Sequence, residues 1–440
     1  MLEEIIVTAQ KRQEALQDVP QSITVLSGAT FERQQADNLQ DYLALIPGLS
    51  LEGSTRGVSR ITLRGINTGG VASTVGVYVD EVPFGSSSGL ANGAILAGDF
   101  DTFDMSRLEV LRGPQGTLYG ASSLGGVMKF VTNPPQTESF EGEAKVGVED
   151  VAGGDLSYSA SSFVNLPVSE QFALRLTGFY RLDGGFVDSV GNNPIPSLTD
   201  PDVNVVQGTI NEDNLNELET YGGRISALIA ASETFSVRLT ALLQNIGTDA
   251  SDAIETDRAT LEPLYGDHVT SLYHREPTDF KYRIYSATVD WDLGPASLMS
   301  STSYGTFQED FQRDQARAFG GVLAGLVTFL YGDAETRPLS AILRQTTGTD
   351  KFTQELRLSS PEADTFEWMI GGFYTREKSR IDPQNFFAVE AGTDTIATDV
   401  PQLIEIFLRS EFEEYAGFAN LTWHVTPRFD VTFGGRASHN

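Results

Sequence analysis

The heptapeptide GASSLGG, residues 120–126, carries the residue types of two kinds of active site. A phosphate loop places Lys and then Ser or Thr after the second glycine of G-x-x-x-x-G, so that backbone amides cradle the phosphate and the ammonium neutralises it. Gly126 and Val127 stand there instead. A nucleophile elbow needs a glycine two residues beyond its serine to make the strained turn, and Leu124 occupies that place after Ser122. Both chemistries fail at a definite position. The glycines then read as tight turns leading into the apolar strand GVMKFVT.

Metal chemistry fares no better. DPDVN sets Asp200, Asp202 and Asn204 at the alternate spacing of a calcium loop, but Val205-Val206 replaces the turn glycine and Asn211 stands where the bidentate Glu belongs. His268, His274, His424 and His439 are dispersed without HExxH spacing and read as surface residues. There is no cysteine, which removes disulfides, thiolate catalysis and cysteine–metal sites. No enzyme, metal centre or cofactor is expected.

These segments sit in a chain of 440 residues with a formal charge of −30, which repels nucleic acid. No apolar run is long enough for a transmembrane helix, although barrel strands would escape such a search. The start MLEEIIVTAQKRQEA lacks the apolar core of a secretory signal, which leaves a cytoplasmic chain or one that begins near a mature start.

Over the first 135 residues, short apolar or alternating runs at 22–26, 60–64, 75–79, 107–111 and 127–132 suggest strands. Ser27 can cap one helix running to about Gln35, and Asn38 a second, with Asp41 three positions on and Pro47-Gly48 as the stop. LEGSTRGVSR and FGSSSGLANGAILAGDF read as long polar loops. The result is a small domain of mixed helix and strand.

The order of its phrases resembles a known family. IIVTAQ, VPQSITVLSG, LQDYLALIPGL, ITLRGI, VGVYVDEVPF and RLEVLRGPQGTLYGASSLGGVMKFVTNPP follow one another as in the plug of a TonB-dependent outer-membrane receptor.

Beyond 135 the pattern becomes long two-residue alternation. Phe172, Leu174, Leu176, Tyr180 and Leu182 oppose Arg175, Thr177 and Arg181; Tyr285, Ala287, Val289, Trp291 and Leu293 oppose Ser286, Thr288, Asp290 and Asp292. Similar stripes run along 235–243 and 429–433. About eleven such strands follow Phe140, and their connections alternate between short turns and long loops at 183–217, 246–280, 310–350 and 378–411. A soluble sandwich has shorter strands and no reason for that alternation. An antiparallel transmembrane β-barrel with a wet lumen, apolar outside, accounts for both. The long loops are acidic: 183–217 has seven carboxylates and no Lys or Arg. Such loops disfavour a strongly anionic ligand.

The resemblance divides the chain into a TonB box and extension at 1–15, a plug at 16–135 and the first half of a barrel at 136–440. The family's barrel has 22 strands around its plug. An eleven-strand wall would leave two open edges in lipid. The expectation is a piece of a longer product or a truncated gene, inactive in transport by itself. The family also implies roles. Glu4, Ile5, Ile6, Val7, Thr8 and Ala9 match the TonB box, a strand captured by TonB and driven by the inner-membrane proton motor. Arg64 in ITLRG and Arg112 in EVLRG match plug arginines that latch to wall glutamates, with Glu355 the candidate partner. Arg56, Arg60 and Tyr78 are ligand candidates because they lie in or beside apical loops. The implied setting is the bacterial outer membrane. Its lipid is one partner; the cargo is a scarce nutrient, a ferric siderophore or other iron complex, with vitamin B12, haem or carbohydrate as alternatives, and a non-transporting signalling receptor is the competing reading.

Overall fold

Leu49, Leu51, Ile61 and Leu63 alternate with polar neighbours, and in space they meet as cross-strand pairs, Leu49 with Leu63 and Leu51 with Ile61. The structure, a computed structural model, describes residues 5–440 apart from 37, 56–57, 69–71, 88–97, 192–194, 197–203, 207–209, 258, 321–338, 364, 391, 403 and 427. Glu4, Arg56 and most of the calcium-loop reading fall outside the described residues.

A short hairpin, β1 (Ile6–Val7) with β2 (Glu14–Ala15), opens the chain. Then come β3 (Ile23–Ser27), helices α1 (Gly28–Gln34) and α2 (Leu39–Leu43), the hairpin β4 (Leu49–Thr55) and β5 (Val58–Leu63), β6 (Val75–Val79), β7 (Val82–Phe84), β8 (Met105–Arg112), α3 (Gly116–Tyr119) and β9 (Gly126–Thr132). The Ser27 hydroxyl accepts from Thr30 N–H, and Asn38 with Asp41 forms a capping box, so both helix starts lie where the spacing predicts. LEGSTRGVSR is not the loop its polarity suggests. It lies within β4–β5, because the flanking leucines and isoleucine need a common face on the core.

β3, β8, β9, β6 and β7 form one sheet, in that order, with β6 parallel to β9 and the other neighbours antiparallel. Val77, Leu108, Val110, Met128 and Phe130 form its buried side against Phe31, Leu39 and Tyr42 of the helices. This is the plug.

The wall follows: β10 (Glu141–Asp150), β11 (Leu156–Ser169), β12 (Phe172–Asp183), three short pieces β13 (Asp188–Ser189), β14 (Ile195–Pro196) and β15 (Asn204–Val206), then β16 (Leu218–Ser232), β17 (Phe235–Thr248), the short β18 (Val269–Thr270), β19 (Thr278–Asp292), β20 (Ser297–Asp314), β21 (Leu339–Ser359), β22 (Phe366–Glu390), β23 (Ile404–Thr426) and β24 (Phe429–His439). Eleven of them, all but the four short pieces, make one antiparallel sheet in chain order. Its strands run further than alternation suggests: β22 reaches Glu390 and β23 starts at Ile404, so most of the 378–411 loop is strand. Both faces of that extension are mixed in polarity, which hides the period.

Arg175, Thr177 and Arg181 point inward and are buried, while Leu176 and Tyr180 point outward and are exposed. The lumen is not uniformly wet, however. Phe280, Tyr282 and Ile284 on β19 and Phe307 on β20 also point inward and pack on Phe84 and Phe100 of the plug. Outside, two aromatic rows mark the wall. One holds the pairs Phe235–Trp291 and Phe366–Trp423 near the short turns, and the other runs Phe352–Tyr374–Tyr415 further up. The eight residue steps from Tyr415 to Trp423 on β23 span about 26 Å along the strand. With the usual tilt, that is close to the apolar band between the aromatic girdles of a membrane barrel.

Candidate functional site

The plug is fastened to the wall by carboxylates of its own and arginines of the wall. Asp104 follows β7 and the 85–104 connection, at φ 57°, a left-handed conformation that Asp tolerates better than most residues. Arg175 of β12 donates to it at 2.5 and 3.0 Å, Arg224 of β16 at 2.6 Å, Thr177 at 2.6 Å and Asn133 at 2.9 Å. Its side chain is fully buried. Burial alone raises the Asp104 carboxyl, but the Arg175 hydrogen bonds and the Arg224 charge outweigh it and hold the carboxyl below its ordinary value. Asp101 meets Arg181 at 3.2 Å, Asp80 meets Arg238 at 3.7 Å, and Gln244 clasps the 99–101 backbone at both ends. Phe84, Phe100, Tyr282 and Phe307 close the same seam with ring centroids 4.9–6.4 Å apart.

A second contact system belongs to the N-terminal strap. Thr8 N–H donates to Glu109 of β8 at 2.9 Å, and the Tyr119 hydroxyl donates to the Ala9 carbonyl at 2.8 Å. Lys11 Nζ lies 2.6 Å from both Glu355 oxygens on β21, over the rings of Tyr119 and Phe418. Arg12 reaches Glu367 at 3.0 Å and the Trp368 carbonyl. Charges alternate inward from the strap. Lys11 pairs with Glu355, Glu355 with Arg357 at 3.0 Å, Arg357 with Glu81 at 2.7 Å, and Glu81 with Lys129 at 2.7 Å. Three cations face two anions in a buried row. Burial is the main cause that pushes the Lys11 ammonium down to about 8, and Arg357 adds to it against the pull of Glu355.

The latch read from the sequence is therefore corrected. Glu355 does face the lumen, but its partners are Lys11 and Arg357, not Arg64 or Arg112. Arg64 is exposed and its N–H donates to Gly48, while Arg112 donates to the Pro47 carbonyl at 3.3 Å. Among the described residues, neither is paired with a carboxylate: Arg64 lies against Gly48 and Gly113, and Arg112 beside Pro47. Of the ligand candidates, Arg60 sits 3.6 Å from Glu52 in the β4–β5 hairpin. Tyr78 is buried, with its hydroxyl donating to the Tyr119 carbonyl at 2.9 Å, so it is a core residue rather than an apical one. Within the box, Val7 and Ala9 are buried and Ile5 and Ile6 exposed.

The acid-on-plug, arginine-on-wall seam was missed by sequence reasoning, although a signal existed. Inward wall positions repeatedly carry Arg, and the plug concentrates Asp99, Asp101 and Asp104 in one short run. The histidine reading is also revised. His274 is buried, with Nδ1 2.8 Å from Asp394 and Nε2 2.7 Å from Ser340. The order is that of a hydrolytic triad, but Ser340 is fully buried in β21 and offers no substrate access. The arrangement pins the loop before β19 to the β21 and β22 ends.

The glycines of the 111–132 stretch have packing duties. A Cβ on Gly120, at φ 72°, would lie 2.8 Å from the Arg436 guanidinium of β24. One on Gly126, at φ 151°, would lie 2.1 Å from the Leu111 carbonyl oxygen. Gly126→Ala therefore forces β8 and β9 apart. It should cost about 2–4 kcal/mol, comparable to a severe core substitution, read as a lowered urea midpoint of the plug.

Residues 15–127 match the family model of the TonB-dependent receptor plug domain. The chain is 32% identical over 189 residues to a vitamin B12 transporter of Vibrio vulnificus, covering 42% of this chain and 28% of that protein. It is 30% identical over 185 residues to the ferrichrome outer membrane transporter/phage receptor of Escherichia coli, covering 40% and 22%. Among solved structures, the ferric yersiniabactin uptake receptor of Yersinia pestis superposes with a TM-score of 0.68 at 19% identity, covering 95% of this chain and 56% of that one. The ferripyoverdine receptor of Pseudomonas aeruginosa gives 0.71 at 14%, covering 98% and 54%. The matched stretches thus span under a third of the two curated relatives, and the chain spans 56% and 54% of the two solved receptors, whose fold it shares.

Proposed function

We propose, from the premise that residues 15–127 are a TonB-dependent receptor plug domain and the strands after it belong to that receptor's barrel wall, that the chain serves energy-dependent uptake across a bacterial outer membrane. The observation that carries this reading is the strap. A strand-forming run, Ile5 to Thr8, lies at the short-turn mouth and leads through residues 16–22 into β3, an edge strand of the plug sheet. Strand addition by TonB needs a free backbone edge, and β1 is held by only two residue pairs to β2. A pull on it is transmitted first to Lys11 and Arg12, and through 16–22 to β3.

The cargo we favour is an iron complex. The relatives and neighbours that support it carry ferrichrome, ferric yersiniabactin and ferripyoverdine in their names. The second reading, a corrinoid or haem, draws support from the relatives named for vitamin B12 and hemin. The acidic long loops favour a neutral or cationic form of either.

The test is uptake of radiolabelled iron complexes and cobalamin by cells carrying the gene, with and without a working TonB. Ile6→Pro removes a backbone donor from the captured strand. Uptake should drop to the TonB-deficient background while ligand binding at the cell surface is retained; unchanged uptake would remove the strap from the mechanism.

A further inference from the structure

The rim at the long-loop end of the wall is gathered on one short run, residues 272–276. Leu272 N–H donates to Ser189 Oγ of β13 at 3.0 Å. Tyr273 and His274 N–H donate to one oxygen of Asp314, at the end of β20, at 2.7 and 3.2 Å. The His274 ring joins Ser340, at the start of β21, to Asp394 in the connection after β22. An ionised Asp394 can only accept, so Nδ1 carries the proton and Nε2 accepts from the Ser340 hydroxyl. Arg275 pairs with Glu212, its carbonyl accepts from Gln312 Nε2 at 2.8 Å, and Glu276 accepts from Asp314 N–H at 3.0 Å. Just before the run, β18 pairs in parallel with β13. Loops ordinarily lie on the surface with water as their partner. Here Thr270, Ser271, Tyr273, His274 and Thr278 are 0–3% exposed, so the run lies in the buried polar core of a small body built from loops.

We infer that residues 272–276 are the keystone of this rim, through which the 183–217 loop, the end of β20, the start of β21 and the connection after β22 open together or not at all. Five consecutive residues have little slack, since each spans at most about 3.6 Å. No one of the four segments can withdraw without dragging the run away from the other three. The groups orphaned by a partial withdrawal stay buried and cannot turn to water, so half-open states are costly. The closed rim is therefore one cooperative unit, distinct from the strands beneath it. The mouth on this side is preformed, and whatever it receives binds without having to order these loops. This holds independently of which cargo the chain serves.

Hydrogen exchange on the whole chain in outer-membrane vesicles tests this, with two cuts on opposite sides of the run. His274→Ala removes the bonds to Ser340 and Asp394, and the amides to follow are those of Asp188 and Val190, which donate to the His268 and Thr270 carbonyls. Ser189→Ala removes the bond from Leu272, and the amides to follow are those of Glu390 and Ala397, which donate to the Thr395 and Ala388 carbonyls. Each variant should speed its remote pair at least tenfold, and should speed the near and remote pairs by the same factor. Amides 284–288 of β19, in the wall below, should keep the parent rate. If His274→Ala speeds only 390 and 397 and Ser189→Ala only 188 and 190, the segments open independently and the keystone is wrong. Acceleration of 284–288 along with the rim, in a chain that has assembled, would equally contradict a separate unit. If His274→Ala does not assemble in the membrane, Ser189→Ala decides by the same reading.

Discussion

Asp104→Ala is expected to weaken the plug's hold on the wall by about 3–5 kcal/mol, the cost of leaving buried charges without their partner. Two guanidiniums, Arg175 and Arg224, converge on this one carboxylate, and their side chains are 4% and 3% exposed. Water cannot replace the lost oxygens there, and Glu141, at 3.6 Å from Arg175, can serve only that one. The measurement is urea unfolding of the plug followed by a probe in its core. The double variant Asp104→Ala with Arg224→Met should recover part of the loss, since it removes an uncompensated charge along with its partner. The pH dependence has a defined sign. The Asp104 carboxyl is held below its ordinary value, so its contribution is complete above about pH 4 and is lost as pH falls through the lower folded value. Asp104→Ala should flatten the plug's stability in that acid window and lower it at neutral pH. An unchanged midpoint at neutral pH would show that the seam holds without the Asp104 cluster, on the Asp101, Asp80 and Gln244 contacts and the aromatic rings.

Glu355→Gln should free the strap rather than the plug. Glu355 separates Lys11 from Arg357, and without its charge two cations share a buried site. The Lys11 ammonium, already pushed down to about 8, then either sheds its proton or leaves. At a cost of about 3 kcal/mol, the open population of the strap rises on the order of 100-fold. Trypsin reads this directly, since its sites at Lys11 and Arg12 are blocked while the strap is docked. Cleavage limited by opening should quicken by the same factor. Lys11→Met in the same chain should bring the rate partway back, because it removes the unpaired charge. Equal cleavage in the parent and in Glu355→Gln would mean that Thr8, Ala9 and Arg12 anchor the strap without Lys11.

The plug and wall were legible because their signals are local. Ser27, Asn38 and Asp41 cap helices within four residues of themselves, and the outward stripe of β12 repeats every second residue. The β4–β5 hairpin was hidden because Gly53, Ser54 and Thr55 dominate its composition while its few apolar residues carry the pairing. The seam was hidden for another reason. An inward arginine announces only that it needs an acceptor, and Asp104 lies 71 residues from Arg175 and 120 from Arg224. Lys11 and Glu355 are 344 residues apart, so no spacing rule joins them. The family pattern pointed Glu355 toward Arg64 and Arg112; the geometry of β21 places it over the strap.

The central claim is that a pull on the strap frees residues 6–16 before it disturbs the Asp104 seam that holds the plug sheet to the wall. Hydrogen exchange on the membrane-embedded chain, with and without the TonB C-terminal domain, tests it most directly. The account predicts faster exchange for amides of residues 6–16 on addition of that domain, with amides of β8 and β9 and of 101–105 unchanged. Acceleration of both sets together would mean that the plug leaves as one body and would contradict it.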